Sequence, residues 1–180
     1  MITDRMVAEA VTRKLAEVSA LRDPTLGHHL HRTAEIACAI GAEMGATMET
    51  LDLLYTAGLL HDVGKLAISE AILFKPSGLT RNEWQVVRAH PEAGYRLIAD
   101  VMEQDVASAV LNHHERIDGQ GYPRGLNART LPMVVRIVQV ADAFDAMTSE
   151  RPYRSALETP LAVAEVIRCA GSQFDGEVVA

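Results

Sequence analysis

The stretch Leu59-Leu60-His61-Asp62-Val63-Gly64-Lys65 constrains the fold more than any other part of the chain. It sets an imidazole beside a carboxylate at the end of an apolar run that otherwise reads as buried helix. Ionisable groups are costly in a core unless they are paired or bind metal. Neutral imidazole nitrogen together with carboxylate oxygen suits a borderline divalent ion such as iron, manganese or zinc. Taken alone, the pair reads equally well as a buried histidine held by its neighbouring aspartate, and the other histidines must separate the two readings.

A length of 180 residues allows one domain with a substantial core. Few aromatics, much Ala, Leu and Val, and few Gly or Pro inside the periodic segments predict an all-α protein. The formal charge of −7 argues against a nucleic-acid polymer or an anionic membrane as partner, since either needs a basic face. An anionic small substrate stays open, because divalent metals reverse the field locally. Cys38 and Cys169 lie far apart inside apolar helical patterns and read as buried free thiols, which fits a reducing cytoplasm. Asp4, Arg5 and Glu9 exclude a secretory signal in the first ten residues, and no uncharged apolar run approaches membrane-spanning length.

Along the chain, Val7, Val11, Leu15, Val18 and Leu21 recur at helical spacing and predict an N-terminal helix over residues 1–22, a packing element or a connector to a partner. Residues 23–180 form the main domain. Asp23-Pro24 is an N-cap with proline at the first helical position, opening a helix that carries His28, His29 and His31. Adjacent helical positions diverge by about 100°, so the three cannot share a site, and spacing does not choose among them. A helix from Thr47 leads into His61-Asp62, where Lys65 brings a cation that could hold a phosphate. Thr80 and Glu83 form a capping box, opening a helix that ends at His90 before Pro91 starts the next. A further helix from Asp105 reaches His113-His114-Glu115, followed by Asp118–Gly125, a loop with three glycines and a proline. Following directly on paired histidines, it reads as an active-site loop. Val134–Val140 continues into Ala141–Met147 without a turn and is expected to be helical, with Asp142 and Asp145 on one face. Arg151 and Arg154 follow as candidate phosphate forks, and Thr159-Pro160 starts a scaffold helix that Gly171 stops.

One histidine of the first group, with His61, Asp62, His90, His113, His114 and Asp142, makes seven imidazoles and carboxylates at or near the ends of apolar helices. That exceeds the needs of one ion, and two metals bridged by a carboxylate is the simplest use.

From about His29 to Phe174-Asp175, the chain resembles the HD-GYP family of the HD phosphohydrolase superfamily. LLHDVGK and HHERIDGQGYP carry its two signatures, and KPSGLT, VADAFDAMTS and ERPYR also fit its pattern. The resemblance implies a helical bundle with a metal cluster at its helix ends. It also implies a phosphodiesterase that hydrolyses cyclic di-GMP to linear pGpG, and in some members to GMP. His29 stands three residues before Arg32 as the family's first ligand does, leaving His28 and His31 as bystanders. By the same resemblance Asp62 bridges the metals, with His61 and Asp142 on one and His90, His113 and His114 on the other. Lys65, Arg151 and Arg154 match positions near the substrate phosphates, and Asp145 lies beside the cluster as a supporting group or occasional ligand. Tyr122 of the Gly121-Tyr122-Pro123 loop serves substrate or partner contact, diguanylate cyclase domains being the partners associated with that loop.

Some positions depart from the family pattern. Thr25 stands where members with a third metal carry Glu, so two ions are expected, iron or manganese first and zinc also acceptable. Ile117 replaces a common Trp, Ser69 a common Pro and Gly176 another, and the C-terminal end is expected to be truncated by a helix. The expected chemistry is in-line attack by a hydroxide bridging the two metals, with Asp62 and Lys65 as the catalytic groups. Two other readings remain: an HD phosphohydrolase for another nucleotide, and a signalling module that binds metal, cyclic dinucleotide or a partner with negligible turnover.

Overall fold

Helix follows helix through the computed structural model, which describes residues 4–150 and 155–180. The order is α1 (Asp4–Arg22), α2 (Pro24–Glu43), α3 (Met48–Leu60), a 3-10 turn (Val63–Ala67), α4 (Glu70–Leu73), α5 (Arg81–Arg88), α6 (His90–Ile98), α7 (Gln104–Asn112), α8 (Met133–Thr148), α9 (Thr159–Arg168) and α10 (Gly176–Val179). Among the described residues β pairing is limited to two isolated bridges, Asp118 with Asn127 and Ala170 with Phe174. No helix among them is long and apolar enough to cross a membrane.

Local chemistry sets the helix starts. The Asp23 side chain accepts from the N–H groups of Thr25 and Leu26, and Pro24 needs no such partner. At α5 both halves of the Thr80–Glu83 capping box are made, and Lys75 adds its ammonium to Glu83. The β-branched run Val134–Val140 is helical, since α8 continues without a break to Thr148 and buries Val134, Val135, Ile137, Val138 and Val140. That apolar face, with Ala37, Leu54, Ala57 and Phe174, makes the larger core. A smaller one gathers Leu60, Val63, Ile98, Met102, Val106 and Val110 beneath the 3-10 turn.

Three expectations need correction. The helix α1 is turned relative to the predicted stripe: Thr12, Ala16 and Ser19 are buried, Val11 and Leu15 flank them, and Leu21 is 83% exposed. The buried face combines these small side chains with Val11 and Leu15, which pack on the smaller of the two cores. His90 opens α6 rather than closing the preceding helix, because the break falls one residue earlier at Ala89. Cys38 and Cys169 are free but only half-buried; the Cys38 thiol reaches the Leu51 carbonyl at 3.4 Å.

Packing sets the site through close approaches. Arg22, at the end of α1, donates to the carbonyls of Lys65, Leu66 and Ile68 and so fixes the turn that follows Asp62. A Cβ on Gly64 would fall 1.9 Å from the His90 carbonyl oxygen. Only glycine lets the 3-10 turn lie against the start of α6, which brings Asp62 up to His90.

Candidate metal centre

Three of the imidazoles are fixed by a single local rule. His61, His90 and His113 each direct Nδ1 at the carbonyl three residues earlier, Gly58 at 2.8 Å, Val87 at 2.7 Å and Val110 at 2.9 Å. A carbonyl can only accept, so Nδ1 carries the proton and Nε2 presents its lone pair. His29, within α2, has no such carbonyl. Its Nδ1 lies 2.6 Å from Oδ2 of Asp145, which also takes the Arg32 guanidinium, with Nε at 2.5 Å from Oδ1 and Nη2 at 3.2 Å from Oδ2. The His114 ring stacks on that of Tyr122, with centroids 4.7 Å apart and an interplanar angle of 28°.

The Nε2 atoms converge. His29 and His61 face each other at 3.2 Å, and His90 and His113 at 3.1 Å. Asp62 lies between the pairs. Its Oδ2 is 3.5 Å from His61 Nε2 and 3.7 Å from His29 Nε2, and its Oδ1 is 3.0 Å from His90 Nε2 and 3.8 Å from His113 Nε2. Asp142 Oδ1 completes the first group, 3.2 Å from His29 and 3.8 Å from His61. Ligand atoms in the set Asp62, His90, His113 and His114 lie within 4.8 Å of one another, as do those of His29, His61 and Asp142.

This donor set fits divalent metal. Ligands about 2.0–2.2 Å from an ion sit roughly 3 Å or a little more from their neighbours, which is the spacing here. His90 and His113 turn two lone pairs towards one another with no proton to share, and buried Asp62 Oδ1 has no hydrogen-bond donor despite His90 at 3.0 Å. A cation relieves both conflicts; a filled apolar core would not create them.

The electrostatics agree with that reading. Burial pushes the His113 imidazole well below its ordinary range, helped by the neighbouring His114, His61 and His90, and it pushes His114 down to about 4. Both are therefore neutral and able to ligate at neutral pH. Burial acts to raise Asp62, yet the Lys65 ammonium and the His61 imidazole hold it well below the carboxylate range. Asp142 is likewise lowered, its burial outweighed by hydrogen bonding to His29 and the charge of His61. His29 moves the other way. Its burial is overcome by hydrogen bonds to Asp142 and Asp145, and it rises to about 9, so a proton sits between two carboxylates where a cation is wanted.

Lys65 Nζ lies 2.5 Å from Asp62 Oδ2 and keeps about a quarter of its side chain in solvent. Tyr122, Arg88, Arg116, Gln139 and Gln173 line a pocket of about 310 Å³ that opens beside His113, His114 and Asp142. His28 and His31 are exposed on the outer side of α2. Arg151 and Arg154 lie outside the described residues.

Two groups were not singled out as site residues in the sequence. Glu115 is buried and its carboxylate accepts from the N–H groups of Arg124 at 2.6 Å and Leu126 at 2.9 Å, so it anchors the glycine-rich loop. Its position directly after two histidines and before that loop was the available signal. Gln139 of α8 donates to the carbonyls of Asn112 and Glu115 and ties the His113-His114 turn to the core. Gly121 makes the loop's close passage feasible, since a Cβ there would meet Arg116 N and Glu115 Cα at 2.4 Å.

Comparison with known proteins follows the same lines. The sequence profile of the HD domain family matches residues 13–178. The chain is 37% identical over 169 residues to the cyclic di-GMP phosphodiesterase response regulator RpfG of Xanthomonas campestris, covering 92% of this chain and 45% of that protein. It is 38% identical over 165 residues to a cyclic di-GMP phosphodiesterase of Thermotoga maritima, covering 90% and 45%. A 3′3′-cGAMP-specific phosphodiesterase of Vibrio cholerae, number 3, is 34% identical over 162 residues, covering 89% and 35%. The chain thus spans under half the length of these relatives. Among solved structures, Bd1817, an HDG"Y"P protein from Bdellovibrio bacteriovorus, superposes with a TM-score of 0.68 at 20% identity, covering 84% of this chain and 49% of that one.

Proposed function

The chain belongs to the HD domain family, and from that membership we propose that it is a metal-dependent phosphodiesterase that opens cyclic di-GMP to linear pGpG, or onward to GMP. The observation that carries the reading is the pair of facing Nε2 contacts at 3.1 and 3.2 Å on either side of one buried carboxylate. Relatives named for cyclic di-GMP at 37–38% identity support this substrate, and those named for 3′3′-cGAMP support the wider class of cyclic dinucleotides.

In this reading His29, His61 and Asp142 would hold one divalent ion, His90, His113 and His114 the other, and Asp62, lying between the two groups, would serve both. Iron or manganese is the proposed metal, with zinc compatible with the same donors. Bound metals supply Lewis acidity towards a phosphoryl oxygen and a nucleophile from water near neutral pH. The chain's own residues do the rest. His61, His90 and His113 present Nε2 lone pairs to the site, and the carbonyls behind them stop the rings from turning. Lys65, close to Asp62 and partly in solvent, is suited to move onto a non-bridging phosphate oxygen as charge gathers there. The pocket beside Asp142 and His114 admits the substrate, with Tyr122 on its wall. By resemblance Arg151 and Arg154 take the phosphates, and the Gly121-Tyr122-Pro123 loop offers a surface to a diguanylate cyclase or other signalling protein. A cytoplasmic setting follows from a nucleotide second messenger as substrate.

The test is a substrate panel. Protein purified anaerobically, stripped and reloaded separately with iron and manganese, is given cyclic di-GMP, 3′3′-cGAMP and cyclic di-AMP, with products separated by chromatography beside Asp62→Ala. The proposal expects linear product from cyclic di-GMP with the parent protein alone. No turnover of any member at two metals per chain would instead identify a binding module.

A further inference from the structure

Among the five proposed histidine ligands, His114 is held differently. His61, His90 and His113 rest on backbone carbonyls and His29 on the Asp145 carboxylate, whereas among the described residues neither ring nitrogen of His114 has a hydrogen-bond partner. Its orientation has another source. The Tyr122 ring stacks on it, and the Tyr122 N–H donates to the carbonyl of His114 itself at 3.1 Å, so ring and backbone of one residue grip ring and backbone of the other. The guanidinium carbon of Arg88 lies 4.3 Å from the centroid of the same Tyr122 ring. Glu115 and Gly121 fix the loop that carries the tyrosine.

We infer that Tyr122 is a positioning residue for the metal held by His90, His113 and His114, acting through the stack on His114, and that Arg88 steadies Tyr122 from α5. This rests on the metal reading above, but not on the identity of the substrate. The physical basis is the ordering of a ligand before it binds. An imidazole free to rotate must lose that freedom on ligation, and an aromatic neighbour at stacking distance removes it beforehand. The phenol oxygen has no part in this, so the ring should suffice. The arrangement also links the exterior to the centre. Arg88 is exposed, Tyr122 is half-buried and His114 reaches the cluster, so anything that draws Arg88 or the loop away loosens one of the two ions and leaves the His29, His61 and Asp142 side intact.

Manganese titration of the chelator-stripped protein, followed calorimetrically with bound metal counted by mass spectrometry, tests the inference without reference to turnover. Tyr122→Phe should bind both equivalents as the parent does. Tyr122→Leu should keep one equivalent unchanged and weaken the other by about tenfold or more, the usual range for groups that orient a ligand. Arg88→Ala should weaken the same equivalent by a smaller factor. Parent-like binding of both equivalents by Tyr122→Leu, or equal weakening of both, overturns the assignment. Should Tyr122→Leu prove unfolded by circular dichroism, Arg88→Ala decides: selective weakening of one equivalent supports the inference, and parent-like binding overturns it. A chain that binds metal in this pattern yet leaves cyclic di-GMP intact would refute the proposed reaction while keeping the positioning role.

Discussion

The two sides of the centre are built by different means. At the Asp62 side His90 and His113 are set by carbonyls three residues back in the chain, and a single glycine contact brings the 3-10 turn against α6. At the His29 side the imidazole depends on Asp145, 116 residues away, and Asp145 in turn on Arg32. The carbonyl contacts of the first arrangement form wherever the local helix ends form. The second exists only once α2 and α8 have docked. The centre therefore combines imidazoles that local backbone geometry orients, His61, His90 and His113, with one, His29, that tertiary packing must complete.

Three substitutions would break or sharpen that contrast. The largest effect is expected from Gly64→Ala. Its Cβ meets backbone rather than a flexible side chain, so the turn must leave α6, at a cost of about 3 kcal/mol in denaturant unfolding and with loss of the metal beside His90. Parent-like stability and metal content would mean that the contact is not what sets Asp62 against His90. Next, Asp145→Asn removes the charge behind His29 while keeping its shape. It should weaken the metal of His29, His61 and Asp142 by about 10- to 100-fold and leave the other untouched, read from a two-step metal titration. Equal weakening of both would erase the distinction between the halves.

The smallest effect concerns the helix that leads to His90. Glu83 is drawn down to about 2, chiefly by the hydrogen bond from Lys75 and then by those from Thr80. A carboxylate lowered on folding stabilises above its ordinary value, near 4.5, and loses that contribution as pH falls towards 2. The urea midpoints of the parent and Glu83→Gln should differ fully at pH 6 and draw together in acid. A gap that stays constant down to pH 3 would show that the cap does not depend on the ionised carboxylate.

Much of this molecule is legible in the sequence for the same reason that three of the imidazoles are oriented locally. Asp23-Pro24 and the Thr80–Glu83 box act within four residues, and both start helices where their chemistry requires. Asp142 and Asp145 share a helical face by spacing, although which of them faces the cluster and which supports His29 depends on where α2 lies. Periodicity marks the apolar stripe of α1, of which Val11 and Leu15 pack on the core, but it does not mark Thr12, Ala16 and Ser19, the small residues buried beside them. Glu115 and Arg88 act across loops and between helices, and no spacing rule connects Arg88 to Tyr122, 34 positions on.

The central claim is a pair of metals sharing Asp62, both needed for hydrolysis. It is tested most directly by adding manganese to stripped protein in fractional equivalents and recording cyclic di-GMP turnover at each step, with Asp62→Ala in parallel. The account predicts little turnover up to one equivalent, a rise completed at two, and none at any loading in the variant. Full turnover at one equivalent, or from Asp62→Ala, would contradict it.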